Sequence, residues 1–146
     1  QNSIEQTPPT NKLKKKVLII DDCNTMRKIV VKKLLKINNF ELDYDILEGS
    51  DGIDILKFIK DDQKFNNTIK LIISDENMEY MSGTNAFRIL KTLEHEQKIK
   101  SIIKISLTAF LDESTLRDII IAGADYVFNK PLSDHDASKI FNDILS

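Results

Sequence analysis

Short apolar runs alternate with amphipathic segments five times along this chain, and that alternation restricts the fold more than any other feature. The runs cover residues 17–20, 44–48, 71–73, 102–107 and 126–128. Runs of branched apolar residues this short read as strands, the inner ones buried on both faces. Between and after them apolar residues recur at helical spacing. The sets are Met26, Ile29, Val30, Leu34 and Ile37; Ile55, Leu56 and Ile59; Ala86, Ile89, Leu90 and Leu93; Leu116, Ile119 and Ile120; and Ala137, Ile140, Phe141, Ile144 and Leu145. Strict strand–helix alternation predicts an α/β fold, a doubly wound five-stranded parallel sheet with right-handed crossovers and helices on both faces.

Local signals punctuate the pattern. Asn24 is an expected N-cap for the first helix, and Asn38-Asn39 is its expected end. Gly49 and Gly52 mark the turn into the second helix, and residues 61–68 read as a polar loop. Residues 76–83 read as a second loop. Gly123 is placed as the stop of the fourth helix, and Ser133 with Asp136 as a capping arrangement for the last.

Composition narrows the function classes. A chain of 146 residues fits one domain, and 41% apolar with 30% charged residues fits a soluble globular protein. The net charge of −2 gives no support for nucleic-acid binding. The single cysteine, Cys23, excludes a disulfide framework and a thiolate cluster and suits a reducing cytoplasm, where packing is its expected role. No apolar run approaches the ~18 residues that span a bilayer, so no membrane contact by this segment is expected, although a parent protein is free to be membrane-anchored. Residues 1–14 are polar, carry Pro8-Pro9 and read as a linker or disordered lead-in; 15–146 read as the domain. Because the first residue is Gln1, the chain is expected to be a piece of a longer protein.

The chemistry-bearing residues stand at the C-terminal ends of the strands. Run one ends in Asp21-Asp22, run three in Asp75, run four in Thr108-Ala109 and run five in Asn129-Lys130-Pro131. In a parallel sheet these ends share one edge, the edge where open α/β sheets bind ligands. Taken alone, Asp75 could bind a metal, act as a base or be a nucleophile. Three gathered carboxylates repel one another and raise a pKa, which a hard divalent cation relieves. Mg²⁺ takes oxygen ligands, one or two of them carboxylates, and keeps several waters. A hydroxyl and an ammonium beside it suit a phosphoryl group, and a carboxylate nucleophile forms an aspartyl-phosphate. The exposed-helix histidines His95 and His135 offer little by comparison.

Four stretches then carry a resemblance. "VLIIDDCNTMRKIV" (17–30) closely resembles the start of response regulator receiver domains, "IISDENM" their phosphoacceptor strand, and "SLTA" and "NKP" their switch threonine and lysine–proline pair. The likeness runs over residues 16–145. It implies the flavodoxin-like (CheY-like) strand order 2-1-3-4-5. It also implies that Asp75 is the phosphoacceptor and that Asp22, Asp75 and the backbone carbonyl of Asn77 bind Mg²⁺, with Asp21 acting through water; Mn²⁺ could substitute. Thr108 and Lys130 would contact the phosphoryl group, Ala109 would leave room for it, and the Lys130–Pro131 bond would be cis. Phe110 and Asn77 would flank the path of attacking water.

The resemblance implies partners as well. These are a phosphohistidine donor, on a histidine kinase or a histidine phosphotransfer domain, and a downstream protein at the face of helix four, strand five and helix five. The isolated domain would catalyse only its own phosphorylation and dephosphorylation, and a hybrid sensor histidine kinase fits as the parent chain. Two positions depart from the pattern. Glu79 stands where the family usually has proline, and Val127 where it usually has an aromatic, so the aromatic switch is either absent or restored by a bulge in strand five. The alternatives are a receiver-like scaffold that is never phosphorylated, which the complete acid, threonine and lysine set disfavours, and an aspartyl-phosphate-forming phosphatase of the haloacid-dehalogenase type. The phosphatase needs an acid two residues after the nucleophile, where this chain has Asn77. A nucleotide- or flavin-binding fold is disfavoured too, because none of the four glycines, at 49, 52, 83 and 123, builds a Gly-rich phosphate loop.

Overall fold

The computed structural model describes residues 14–65, 67–109 and 112–145. The expected lead-in, Lys14 apart, and Phe110 lie outside the described residues. Five parallel strands form one sheet in the order β2-β1-β3-β4-β5, as expected. They are β1 (Lys15–Ile20), β2 (Tyr44–Gly49), β3 (Ile69–Asp75), β4 (Ile103–Thr108) and β5 (Tyr126–Asn129). The crossovers carry α1 (Asn24–Leu35), α2 (Gly52–Asp62), α3 (Gly83–His95) and α4 (Glu113–Ala122). The closing helix α5 (Asp134–Lys139) continues as a π-helical turn, Ile140–Ile144.

Strand alternation divides the core in two. Val17, Ile19, Leu71, Ile73, Ile105 and Leu107 pack against α1 through Val30, Val31 and Leu34 and against α5 through Ala137 and Ile140. Leu18, Ile20 and Ile72 pack on the other face against Ile55 and Ile59 of α2, Ala86, Phe87 and Leu90 of α3, and Ile119 of α4. β3 is buried from Leu71 to Ile73, as its unbroken apolar run predicts, and the burial extends through the polar Ser74 and Asp75. Each fully buried aliphatic side chain there contributes about 1.5–3 kcal/mol.

Several local expectations are corrected. Cys23, not Asn24, is the N-cap of α1, and it gives no side-chain cap bond; Asn24 lies inside the helix and accepts from Arg27. Helix α1 stops at Leu35, before Asn38-Asn39. A single helical turn, Phe40–Asp43, follows Asn39, which takes φ 70°, a conformation asparagine tolerates better than most residues. Burial of Phe40 against Tyr44 and Phe141, with ring centroids 5.3 and 5.9 Å away, holds that turn in place. Residues 61–68 are not all loop: α2 runs to Asp62 and a 3₁₀ turn, Gln63–Phe65, follows. Asp62 is buried because Thr68 Oγ1 and Ile69 N (2.8 Å) donate to its carboxylate. In α3 it is Phe87 that turns inward while Ile89 is exposed, and in α4 Ala122 is buried while Ile120 is exposed. Cys23 is exposed, so it has no packing role. The N-cap at Ser133 is as expected, its hydroxyl accepting from Asp136 N at 3.0 Å, and Gly123 ends α4 at φ 131°.

Candidate functional site

The strand ends meet as the topology requires. Asp75 is the last residue of β3 and pairs in register with Leu107, one residue before Thr108 at the end of β4. Thr108 in turn pairs with Asn129, one residue before Lys130. Asp21 directly follows β1. One carboxylate oxygen each from Asp21, Asp22 and Asp75 lie within 4.8 Å of one another. Lys130 Nζ sits 2.9 Å from Asp75 Oδ1 and 3.1 Å from Asp21 Oδ2. Asp21, Asp75 and Thr108 are buried, while Asp22 is exposed and forms the solvent side of the cluster.

Backbone and side-chain contacts fix each group. Asp21 N donates to Gly49 O at 3.1 Å, and Asp21 Oδ1 accepts from Cys23 N at 2.9 Å. Arg27 Nη1 donates to the carbonyl of Asp21 at 2.7 Å while its Nε pairs with Glu48 at 3.0 Å. Lys130 N donates to Thr108 O at 3.1 Å, tying the β5 end to the β4 end. The Lys130–Pro131 bond is cis. Glu76 N donates to Asp75 Oδ1 at 2.8 Å.

Burial pushes the Asp75 carboxyl above the ordinary aspartate value; the Lys130 hydrogen bond offsets part of that, and the Asp21 charge adds to it. For Lys130 burial works against the ammonium, but the hydrogen bonds and charges of Asp75 and Asp21 outweigh it and raise its pKa. Three carboxylates against one ammonium leave two negative charges in the cluster. An oxygen-only donor set with that residual charge fits a hard divalent cation such as Mg²⁺. His95, His135 and Cys23 contribute no atom to this donor set.

The remaining expected residues are distributed around the cluster. Asn77 is exposed in the loop after Asp75, Ala109 is exposed just beyond Thr108, and Pro131 is exposed after Lys130. β4 and β5 pair in one unbroken register from Ile105↔Tyr126 to Thr108↔Asn129, so no bulge restores an aromatic at 127. Val127 packs into the core beneath α2, α3 and α4, and Phe128 packs into the opposite one.

Three residues beside the site escaped the sequence reading. Arg27 anchors the Asp21 carbonyl. Glu76 ties the loop to α3, its main-chain oxygen accepting from Gly83 N (3.1 Å) and its Oε1 from Thr84 N (3.0 Å). Asp51 binds the same loop from the β2–α2 side, accepting from Tyr80 N at 2.9 Å. A signal for Asp51 was present: Asp51 and Asp54, spaced as a capping box, immediately precede Ile55.

The family model for the response regulator receiver domain matches residues 17–142, a span that holds every residue of the cluster. The chain belongs to the response regulator receiver domain family. Receiver domains serve two-component signalling, interact with kinase or phosphotransfer partners and effectors, and bind Mg²⁺ at an acidic cluster; Asp21, Asp22 and Asp75 form such a cluster here. Among solved structures, this receiver domain resembles a CheY-like receiver protein from Methanospirillum hungatei, at 20% identity and TM-score 0.71, covering 91% of this chain and 94% of that one. It also resembles the receiver domain of the histidine kinase CKI1 from Arabidopsis thaliana, solved with Mg²⁺, at 19% identity and TM-score 0.71, covering 89% and 91%. A third likeness is to the CheX–CheY–BeF₃–Mg²⁺ complex from Borrelia burgdorferi, at 22% identity and TM-score 0.66, covering 90% of each chain. At these identities the likeness is one of fold. No curated protein matches the chain. Among the described residues no helix is long and apolar enough to cross a membrane.

Proposed function

We propose that Asp75 is the phosphoacceptor of this receiver domain. The observation that carries the assignment is the Lys130 ammonium held between Asp75 and Asp21, with Asp22 completing the acid cluster. An Asp75 carboxylate oxygen attacks the phosphorus of a phosphohistidine on a histidine kinase or histidine phosphotransfer domain. The P–N bond to the donor imidazole breaks, an acyl-phosphate P–O bond forms, and the imidazole leaves with the electron pair. Lys130 moves its charge from the free carboxylate to the transferred group, and the Thr108 hydroxyl donates to a phosphoryl oxygen. Asp22, Asp75 and the carbonyl of Asn77 would hold Mg²⁺ or Mn²⁺, with Asp21 orienting a bound water. When bound, the ion supplies charge neutralisation for the phosphoryl oxygens. Ala109, small and exposed, leaves space for the group, and exposed Asn77 borders the path of attacking water.

The output surface in this reading is the face of α4, β5 and α5. Exposed Ile120 on α4 and Tyr126 on β5 supply apolar contact area there. A cytoplasmic setting, and a hybrid histidine kinase as parent chain, belong to the same reading. Beryllofluoride tests it. Fluorine NMR should detect bound beryllofluoride in the wild type only with Mg²⁺ present and not at all in Asp75→Asn. Equal binding by that variant would move the acceptor elsewhere.

A further inference from the structure

The stretch that leaves Asp75 is irregular from Glu76 to Ser82, yet its far end is held from a different crossover. Asp51, the residue before α2, is only 8% exposed. Its Oδ2 caps α2 by accepting from Ile53 N at 2.9 Å, and also accepts from Met81 N at 3.1 Å. Its Oδ1 accepts from Tyr80 N at 2.9 Å, 29 residues away in sequence. Next to it, Gly52 N donates to Met81 O at 3.1 Å. A Cβ at Gly52 would lie 2.5 Å from Met81 O and 2.8 Å from Ser82 O, so the two backbones meet with no space between them. Capping α2 needs one oxygen; the second is committed to the loop. Burial pushes the Asp51 carboxyl up, but the amides of Ile53, Tyr80 and Met81 outweigh that and hold it below the ordinary aspartate value. Glu76 fixes the near end of the loop through Gly83 N and Thr84 N. Between these two anchors lies Asn77, with no proline to stiffen the chain.

We propose that Asp51 is a positioning residue for the metal site, its carboxylate bridging α2 to Tyr80 and Met81 and so setting the backbone that presents the Asn77 carbonyl. The inference rests on the reading of Asn77 as a metal ligand. Asparagine caps a helix as well as aspartate does. It has only one acceptor oxygen, however, and its NH₂ group would face an amide it cannot accept from. Asp51→Asn therefore keeps the cap, and with it the Met81 N bond that shares the capping oxygen, and loses the Tyr80 N bond.

The test is Mg²⁺ affinity by calorimetry on the full 146-residue chain, with Asp22→Ala as the reference for a lost ligand. Asp51→Asn should bind Mg²⁺ roughly tenfold more weakly, as expected when support behind a metal ligand is removed, while its melting temperature changes little. Adding Glu79→Pro, which restricts the same loop, should recover about threefold of that loss. In the wild type, Mg²⁺ should slow amide hydrogen exchange at Tyr80 and Met81, because loop order and metal binding are linked. This measurement needs no variant to fold. Wild-type binding with unchanged affinity in Asp51→Asn, or exchange at Tyr80 and Met81 indifferent to Mg²⁺, would overturn the inference alone. Absence of Mg²⁺ binding by the wild type, equal to Asp22→Ala, would overturn the metal reading and the inference with it.

Discussion

At the scale of single residues the acid cluster carries a cost that its chemistry requires. Asp75 is buried beside Asp21, and its folded-state pKa lies above the ordinary value. A carboxyl whose pKa rises on folding binds more protons in the native state between the two pKa values. Stability therefore falls as pH climbs from about 4, the unfolded aspartate value, through the folded pKa. Metal-free Asp75→Asn should escape that loss. It should melt above the wild type at pH 7, with the gap closing as pH falls toward 4 and closing also when Mg²⁺ is added to the wild type. A lower melting temperature for the variant at pH 7 would show that the Lys130 contact outweighs burial. The cluster was legible in the sequence because each member stands at the end of an apolar run, and parallel strands bring such ends together. For Asp51 only the capping spacing was local; its bond to Tyr80, 29 residues further along, is specified by nothing near it in sequence.

At the scale of elements, β4 holds the least expected feature. Lys104 lies within an apolar run yet is only 3% exposed. Its ammonium donates to both carboxylate oxygens of Glu94 on α3, at 2.8 and 2.7 Å, and to Ile102 O at 2.9 Å. Glu94 Oε2 also accepts from Ile102 N at 3.0 Å, so the pair pins the end of α3 to the start of β4. Removing one partner of such a pair strands the other charge. Lys104→Met should cost about 3 kcal/mol in urea unfolding. Lys104→Met with Glu94→Leu should cost less than the single change, because no charge is then left unpaired. A double variant as unstable as the sum of its singles would show the two residues to be uncoupled. Helix faces were legible only approximately: α3 and α4 sit rotated from the expected stripes, because bulky Phe87 and small Ala122 decide which side fits the sheet. The turn at Phe40–Asp43 was invisible locally, since it is held by Tyr44 and Phe141 rather than by helix propensity.

At the scale of the whole molecule, the parallel sheet and the two-sided core follow from alternation, whereas the strand order 2-1-3-4-5 was supplied only by the family resemblance. The unbroken β4–β5 register leaves Val127 where an aromatic usually stands. The central claim is that this arrangement accepts a phosphoryl group at Asp75. Its most direct test is the intact mass of the protein after incubation with acetyl phosphate and Mg²⁺, beside Asp75→Asn. The wild type should gain ~80 Da, one phosphoryl group as an acyl phosphate, and Asp75→Asn should gain nothing. The same gain in both proteins would contradict the assignment of Asp75.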